Sequence, residues 1–466
     1  GAAARARQLA TLRRLAHEKA VNPVLGRLLD DLRPYGESLP YGSNEASLIR
    51  VAWRDYERAV RVPVAFIGEV SSHRAQTYQV WTQARPANDF AVVRPYLEKT
   101  LELSQQYASF FPGYEHIADP LIDLLDEGMK ASTLRALFAE LRRQLVPMAQ
   151  AIMSQPPPDD SCLHQSFPEA LQWEFGLEIA RRFGYDFQRG RQDKSPHPFT
   201  ITFSIGDVRI TNRVRESFLG EAPFGSMHEA GHAMYEQGID IELEGTPLAN
   251  GTSAGIHESQ SRLWENVVGR SREFWTFFYP RLQEVFPEQL GSVPLNTFYL
   301  AINRVERSPI RTEADEMTYN LHVMMRFDFE LAMLEGTLAV RDLPEAWRER
   351  AQTDLGIDPP DDRDGVLQDV HWFDGVIGGM FQGYTLGNIL SAQFYEVALK
   401  AHPEIPAQME RGEFGTLLGW LRDEIYQHGR KFTANELVER VTGGPMSIKP
   451  YLRYLQAKYG ELYELP

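Results

Sequence analysis

Cysteine is almost missing: the 466 residues contain one, Cys162. A single thiol excludes an intrachain disulfide framework and fits a reducing compartment. It lies in a polar, proline-rich stretch, QPPPDDSCLHQSFP, and reads as a loop residue rather than a nucleophile. Basic charge is short as well. The 48 Lys and Arg stand against 64 Asp and Glu, for a net charge of −16. General nucleic-acid binding needs a basic surface, so that class is excluded, while solubility is favoured. No apolar run reaches the roughly 18 residues of a membrane span, and no secretory signal is visible. There is no initiator Met; the chain opens on GAAARARQLATLRRLAHEKA, already in helical register, and reads as a trimmed start. Repeats and low-complexity tracts are absent.

What is present is mainly helical patterning. Leu9, Leu12 and Leu15 recur at helical spacing, as do Leu121, Leu124, Leu125, Leu134, Leu137 and Phe138. Trp53, His73, Arg74 and Trp81 lie in no motif and read as structural. After a Pro/Asp loop near 155–161 and a short helix near 168–183, alternation takes over once. HPFTITFS and VRIT, separated by Ile205-Gly206-Asp207, read as a hairpin. Its edge could take an extended peptide by backbone hydrogen bonds. Further helices are expected over 224–237, from about Glu258, over 311–334, and through GYTLGNILSAQFYEVAL. The expected fold is mainly α, with a small antiparallel β-sheet. A single domain, 1–466, is expected, with a helical N-terminal region over 1–155, a catalytic core over 156–400 and a helical C-terminal region over 401–466.

Within the core, His228-Glu229-Ala230-Gly231-His232 is a two-histidine-plus-glutamate pattern. Residues i and i+4 share a helix face, so both imidazoles can reach one metal ion. Met227, Ala230 and Met234 lie on the opposite, apolar face. Glu229 sits beside the first ligand, placed to act as general base. Zinc lowers the pKa of a water it holds from about 15.7 to about 7, within reach of a carboxylate base. The chemistry this predicts is attack of activated water on a carbonyl, most often a peptide bond.

A catalytic zinc needs a third protein ligand. The pattern with a third histidine is excluded, because Tyr235 and Gly238 occupy its glycine and histidine positions. A Glu from a following helix is the other solution. Glu258 fits, at a helix start with its side chain on the polar face beside Arg262 and Glu265. Glu236, Glu242, Glu244 and Glu265 are weaker rivals.

HPF at 197–199, DVRIT at 207–211, HEAGH at 228–232, HESQ at 257–260, IRTEAD at 310–315 and GVLQDVHW at 365–372 occur in this order. The set resembles the signature of the Taq-type thermostable metallocarboxypeptidases, and the resemblance spans essentially the whole chain. It implies a helical, saddle-like fold with a deep groove and the small sheet beside the metal. It implies zinc, replaceable by cobalt, and release of single residues from peptide C-termini with poor cleavage next to proline. It also implies peptide substrates, a homodimer and a cytoplasmic location. Members of that family usually carry a further N-terminal helical segment, whose absence is expected to alter the substrate entrance.

Motif match and ligand chemistry together name His228, His232 and Glu258 as metal ligands and Glu229 as base, then proton donor to the leaving amine. An exopeptidase must also read a terminal carboxylate, which an arginine fork suits. Arg311 is the first candidate and Arg209 the second; the competing roles are ion pairs with Asp315 and Asp207. Tyr384 and His371 are candidates to donate to the oxyanion, against a core tyrosine and a supporting histidine. Gln260, Gln368 and Asp369 are expected to orient ligands, and His197 to be structural. The alternatives are an oligopeptidase or dipeptidase of the same ligand class and, outside enzymes, a non-catalytic peptide-binding scaffold.

Overall fold

A computed structural model describes residues 2–465. The chain forms two compact units. One comprises the residues up to Gln150 with Arg307–Ala314 and Thr318–Gln382; the other comprises Ala151–Glu306, Asp315–Met317 and the residues from Gly383. Among the described residues, no helix is long and apolar enough to cross a membrane.

The first unit is helical. Pro23–Ser38, Asn44–Arg61, Val64–Ala87 and Phe90–Ser109 follow one another through short connections. Asn22, Ser43 and Asp89 cap three of them, each accepting from an otherwise unpaired backbone N–H of the first turn. Val93, Leu97, Leu121, Leu134 and Phe138 are buried at these helical spacings. Leu124 and Leu125 are not: the helix Asp119–Ile122 stops before them, and each stays 38% exposed.

The long helix expected over 311–334 is broken. Arg311–Glu313 is a single 3-10 turn, Ala314 is extended, and the helix proper runs Tyr319–Leu334. Asp315 explains the break. Its carboxylate accepts from the Met317 N–H at 2.9 Å and the Glu306 N–H at 3.2 Å, so it closes a turn instead of continuing the helix.

The second unit carries the sheet, in the order β1 (Gln192–Lys194), β3 (Asp207–Asn212), β2 (Thr200–Ser204). The expected hairpin is present: β2 and β3 pair antiparallel, Thr200 opposite Ile210, with an irregularity between Thr202 and Ser204. β1 was not expected. It joins β3 in parallel, Gln192 opposite Ile210, and its all-polar sequence shows no alternation. Val208 and Ile210 of β3 are buried in a core shared with Met227, Ala230 and Met234 of the helix Ala222–Gln237. Leu263, Trp264 and Val268 enter the same core from a π-helical turn, Leu263–Val268. At about 1.5–3 kcal/mol for each large side chain removed from water, this apolar backing fixes which face of the HEAGH helix turns inward.

Candidate metal centre

The helix Ala222–Gln237 starts with Pro at its second position, where no N–H is needed, and ends before Gly238. It carries both histidines on one face. The neighbouring helix, Ala254–Arg262, begins one turn before Glu258, with Ser253 as cap, so Glu258 lies inside the helix rather than at its start. The two helices touch at Gly231. A Cβ there would lie 2.7 Å from both the Gln260 carbonyl oxygen and the Ser261 Cα, so only glycine permits this approach. From the other side, Gly387 of the helix Gln382–Ala401 presses on Glu258: a Cβ there would sit 2.6 Å from the Glu258 Cβ.

These contacts bring three donor atoms together. Glu258 Oε2 lies 3.4 Å from His232 Nε2 and 3.8 Å from His228 Nε2, and all the donors of the triad fall within 4.8 Å of one another. Ligands about 2.1 Å from a tetrahedral ion stand roughly 3.4 Å apart, so the spacing fits. The chemistry fits too. Glu265 Oε2 lies 2.8 Å from His228 Nδ1, so that nitrogen carries the proton and Nε2 offers its lone pair inward. Arg262 Nε donates to Glu258 Oε1 at 2.7 Å, which turns Oε2 toward the histidines. Its Nη1 reaches Glu265 Oε2 at 3.2 Å.

Burial opposes the charges on both acids, but Arg262 and His228 outweigh it. Glu258 is held well below the usual carboxylate range and Glu265 is brought down to about 2. Burial pulls both histidines down; Glu258 and Glu265 more than offset this at His228, whereas His232 stays below its ordinary value. Glu229 stands outside the triad. The Thr200 hydroxyl of β2 lies 2.7 Å from its Oε2 and 3.1 Å from its backbone oxygen, which ties the sheet to the candidate base.

The whole chain is similar to known proteins. Residues 1–459 match the family model described as carboxypeptidase Taq (M32) metallopeptidase. The chain belongs to that family. It is 43% identical to thermostable carboxypeptidase 1 of Thermus thermophilus, over 98% of this chain and 92% of that protein. It is 39% identical to carboxypeptidase 1 of Bacillus subtilis, over 90% and 83%. The solved M32 carboxypeptidase of Deinococcus radiodurans R1 superposes with a TM-score of 0.96 at 50% identity, over 99% of this chain and 93% of the other. The protein is therefore a metallocarboxypeptidase, and its family implies a metal ion.

The remaining candidates of this M32 carboxypeptidase fall in both units. Arg209, on β3, is half-exposed and holds Asp207 through two bonds of 2.7 Å, the pairing its spacing suggests. Tyr384 lies one turn before Gly387 on the same helix and is half-buried. Arg311 and His371 belong to the first unit. Arg311 is 4% exposed and pairs with Asp369, through Nε at 2.5 Å and Nη2 at 3.1 Å. His371 Nδ1 lies 2.6 Å from the same carboxylate. Gln368 braces the Arg311 turn by accepting its N–H at 2.8 Å, and Gln260 accepts from the Tyr426 hydroxyl at 3.0 Å.

Two rivals for the third ligand lie behind the donors. Glu265 backs His228, and Glu236 Oε1 lies 2.7 Å from His257 Nε2. Glu244 instead accepts from the Ile205 N–H. The spacing of Glu258, Arg262 and Glu265, one helical turn at a time, was the available signal for the Arg262 bridge. Nothing in the sequence marked Thr200.

Proposed function

We propose that the chain is a zinc carboxypeptidase that releases single amino acids from peptide C-termini, with His228, His232 and Glu258 as its metal ligands. The observation that carries the metal reading is the spacing of those donor atoms with Glu229 held beside them but outside the set. When bound, the metal would polarise the scissile carbonyl and acidify a water. Glu229 would take a proton from the attacking water and return it to the leaving amine. Thr200 keeps the Glu229 carboxylate in place.

The substrate carboxylate needs a cationic fork that can exchange partners. An exposed ion pair such as Asp207–Arg209 is worth about 0–1 kcal/mol, so a substrate carboxylate can compete for Arg209. That favours Arg209 over Arg311, whose buried fork is already committed to Asp369. Tyr384, on the helix that presses on Glu258, is the proposed oxyanion donor in the second unit. Cobalt as a substitute metal, poor cleavage next to proline, a homodimer and a cytoplasmic location accompany this reading and rest on the family resemblance.

End-labelled peptides test it. Stepwise loss of one residue from the free C-terminus, slowed by amidation, is the expected result; internal cuts would instead favour an oligopeptidase. In the same assay Arg209→Ala should lower kcat/KM more for free-acid peptides than for amidated ones. If Arg311→Ala does so and Arg209→Ala does not, the carboxylate site belongs to Arg311.

A further inference from the structure

The two histidines of the triad are supported differently. His228 meets a carboxylate directly, through Glu265. His232 meets another imidazole: its Nδ1 lies 2.6 Å from His257 Nδ1, and His257 Nε2 lies 2.7 Å from Glu236 Oε1. We propose that Glu236 and His257 form a positioning relay that fixes His232 with its Nε2 lone pair toward the metal.

The proton positions follow from the partners. The Glu236 carboxylate can only accept, so His257 carries its proton on Nε2. A neutral His257 then presents a bare Nδ1 to His232. The short contact between the two Nδ1 atoms needs one proton, and it must come from His232. His232 is thereby left with a bare Nε2, facing Glu258 Oε2 at 3.4 Å. The carboxylate thus sets the tautomer of a ligand it does not touch, one imidazole further out than the usual carboxylate–histidine arrangement.

The relay is held in place. Glu236 is 4% exposed, and its Oε1 also accepts from the Gly251 N–H at 3.1 Å. A Cβ on Gly251 would lie 2.6 Å from His257 Cδ2 and 2.9 Å from Tyr235 Cε1, so glycine lets the loop close over the pair. The Tyr235 ring packs 5.1 Å from the His257 ring. Glu236 and His232 share a face one turn apart on the same helix, so the relay leaves this helix at one and returns to it at the other.

The proposal rests on the metal reading of the triad, and the test separates the two. Zinc affinity is measured by chelator competition on the whole protein, alongside histidine tautomers from long-range nitrogen-15 spectra of the zinc-free protein. Wild type should bind one zinc, and Glu258→Gln should lose that binding. If wild type binds none, the metal reading fails. Glu236→Ala should weaken zinc binding by about 10–100-fold and move the His232 proton from Nδ1 to a mixture of both nitrogens. Glu236→Gln, whose amide oxygen can still accept from His257, should restore most of the affinity. Adding Glu236→Ala to His257→Ala should cost nothing further, because both act through one contact. If wild type binds zinc and Glu258→Gln does not, an unchanged affinity and tautomer in Glu236→Ala overturn the relay alone. Should that variant not fold, an unchanged His232 tautomer in His257→Ala overturns it equally.

Discussion

Two buried charge clusters, one in each unit, solve opposite problems. In the first unit, Arg311 and Arg326 both pair with Asp369, and His371 joins them. Unlike charges meet there on one carboxylate. Arg326 is fully buried, with its guanidinium 4.6 Å from the Trp347 ring centre. Around Glu258 the second unit does the reverse. It turns the proton-bearing atoms outward, to Glu265 and His257, and points acceptors inward at one another. Buried charge is common to both clusters and identifies neither. What distinguishes a metal centre is a set of acceptors facing each other, which only a cation can reconcile.

The largest effect expected is at Glu229. Glu229→Gln keeps the donor triad and should retain stoichiometric zinc while losing about 10²–10⁴-fold in kcat, the usual contribution of a positioned base. Turnover at the wild-type rate would remove Glu229 from its role. The matching cut in the other cluster is Asp369→Asn. It removes the carboxylate charge that two buried guanidiniums share, at a cost of about 3–5 kcal/mol in unfolding free energy by urea titration. A loss under about 1 kcal/mol would mean that the cluster is not held together by that carboxylate.

The contrast was only half legible in the sequence. HEAGH marked two candidate ligands and a candidate base, because i and i+4 share a helix face whatever the fold. The excluded third histidine pointed to Glu258, and the alternation in 199–211 announced the hairpin. The supporting atoms were not readable in the same way. Glu236 and Glu265 could be seen as acids near the metal, but whether an acid binds the ion or an imidazole depends on how two helices cross, and Gly231 sets that crossing. Arg311 shows the limit more sharply. Its partner Asp369 lies far along the chain, where no local reading looks, and Asp315, the nearer acid, closes a turn that breaks the expected helix. Nor does any local pattern in 318–382 say that this stretch packs with the first 150 residues.

The crossing itself can be disturbed. In Gly231→Ala the new methyl would meet backbone on the facing helix, at Gln260 and Ser261, so the helices must part and Glu258 moves with its own. The expected cost is about 1–3 kcal/mol of stability, with weaker zinc binding measured on the same sample. Lost stability with unchanged zinc affinity would show that the triad tolerates a wider crossing.

A last effect belongs to the first unit and is read through pH. Burial pushes Glu330 up from 4.5 to about 8, although Trp372 Nε1 donates to its Oε1 at 3.0 Å. Between those two values the folded chain holds a proton that the unfolded chain has released. The stability contributed by neutral Glu330 is therefore fully present below about pH 4.5 and is lost as pH rises through about 8. The slope from this one group is at most about 1.4 kcal/mol per pH unit. Glu330→Gln keeps an acceptor for Trp372 and has no proton to lose. Relative to wild type, it should gain stability from about pH 5 upward and stop gaining above about pH 8, where both states of wild type are charged. Urea midpoints for the two proteins across that range measure the difference. Parallel curves would mean that Glu330 ionises alike in the folded and unfolded chain, and the first unit would then tolerate a buried carboxylate with no partnering cation.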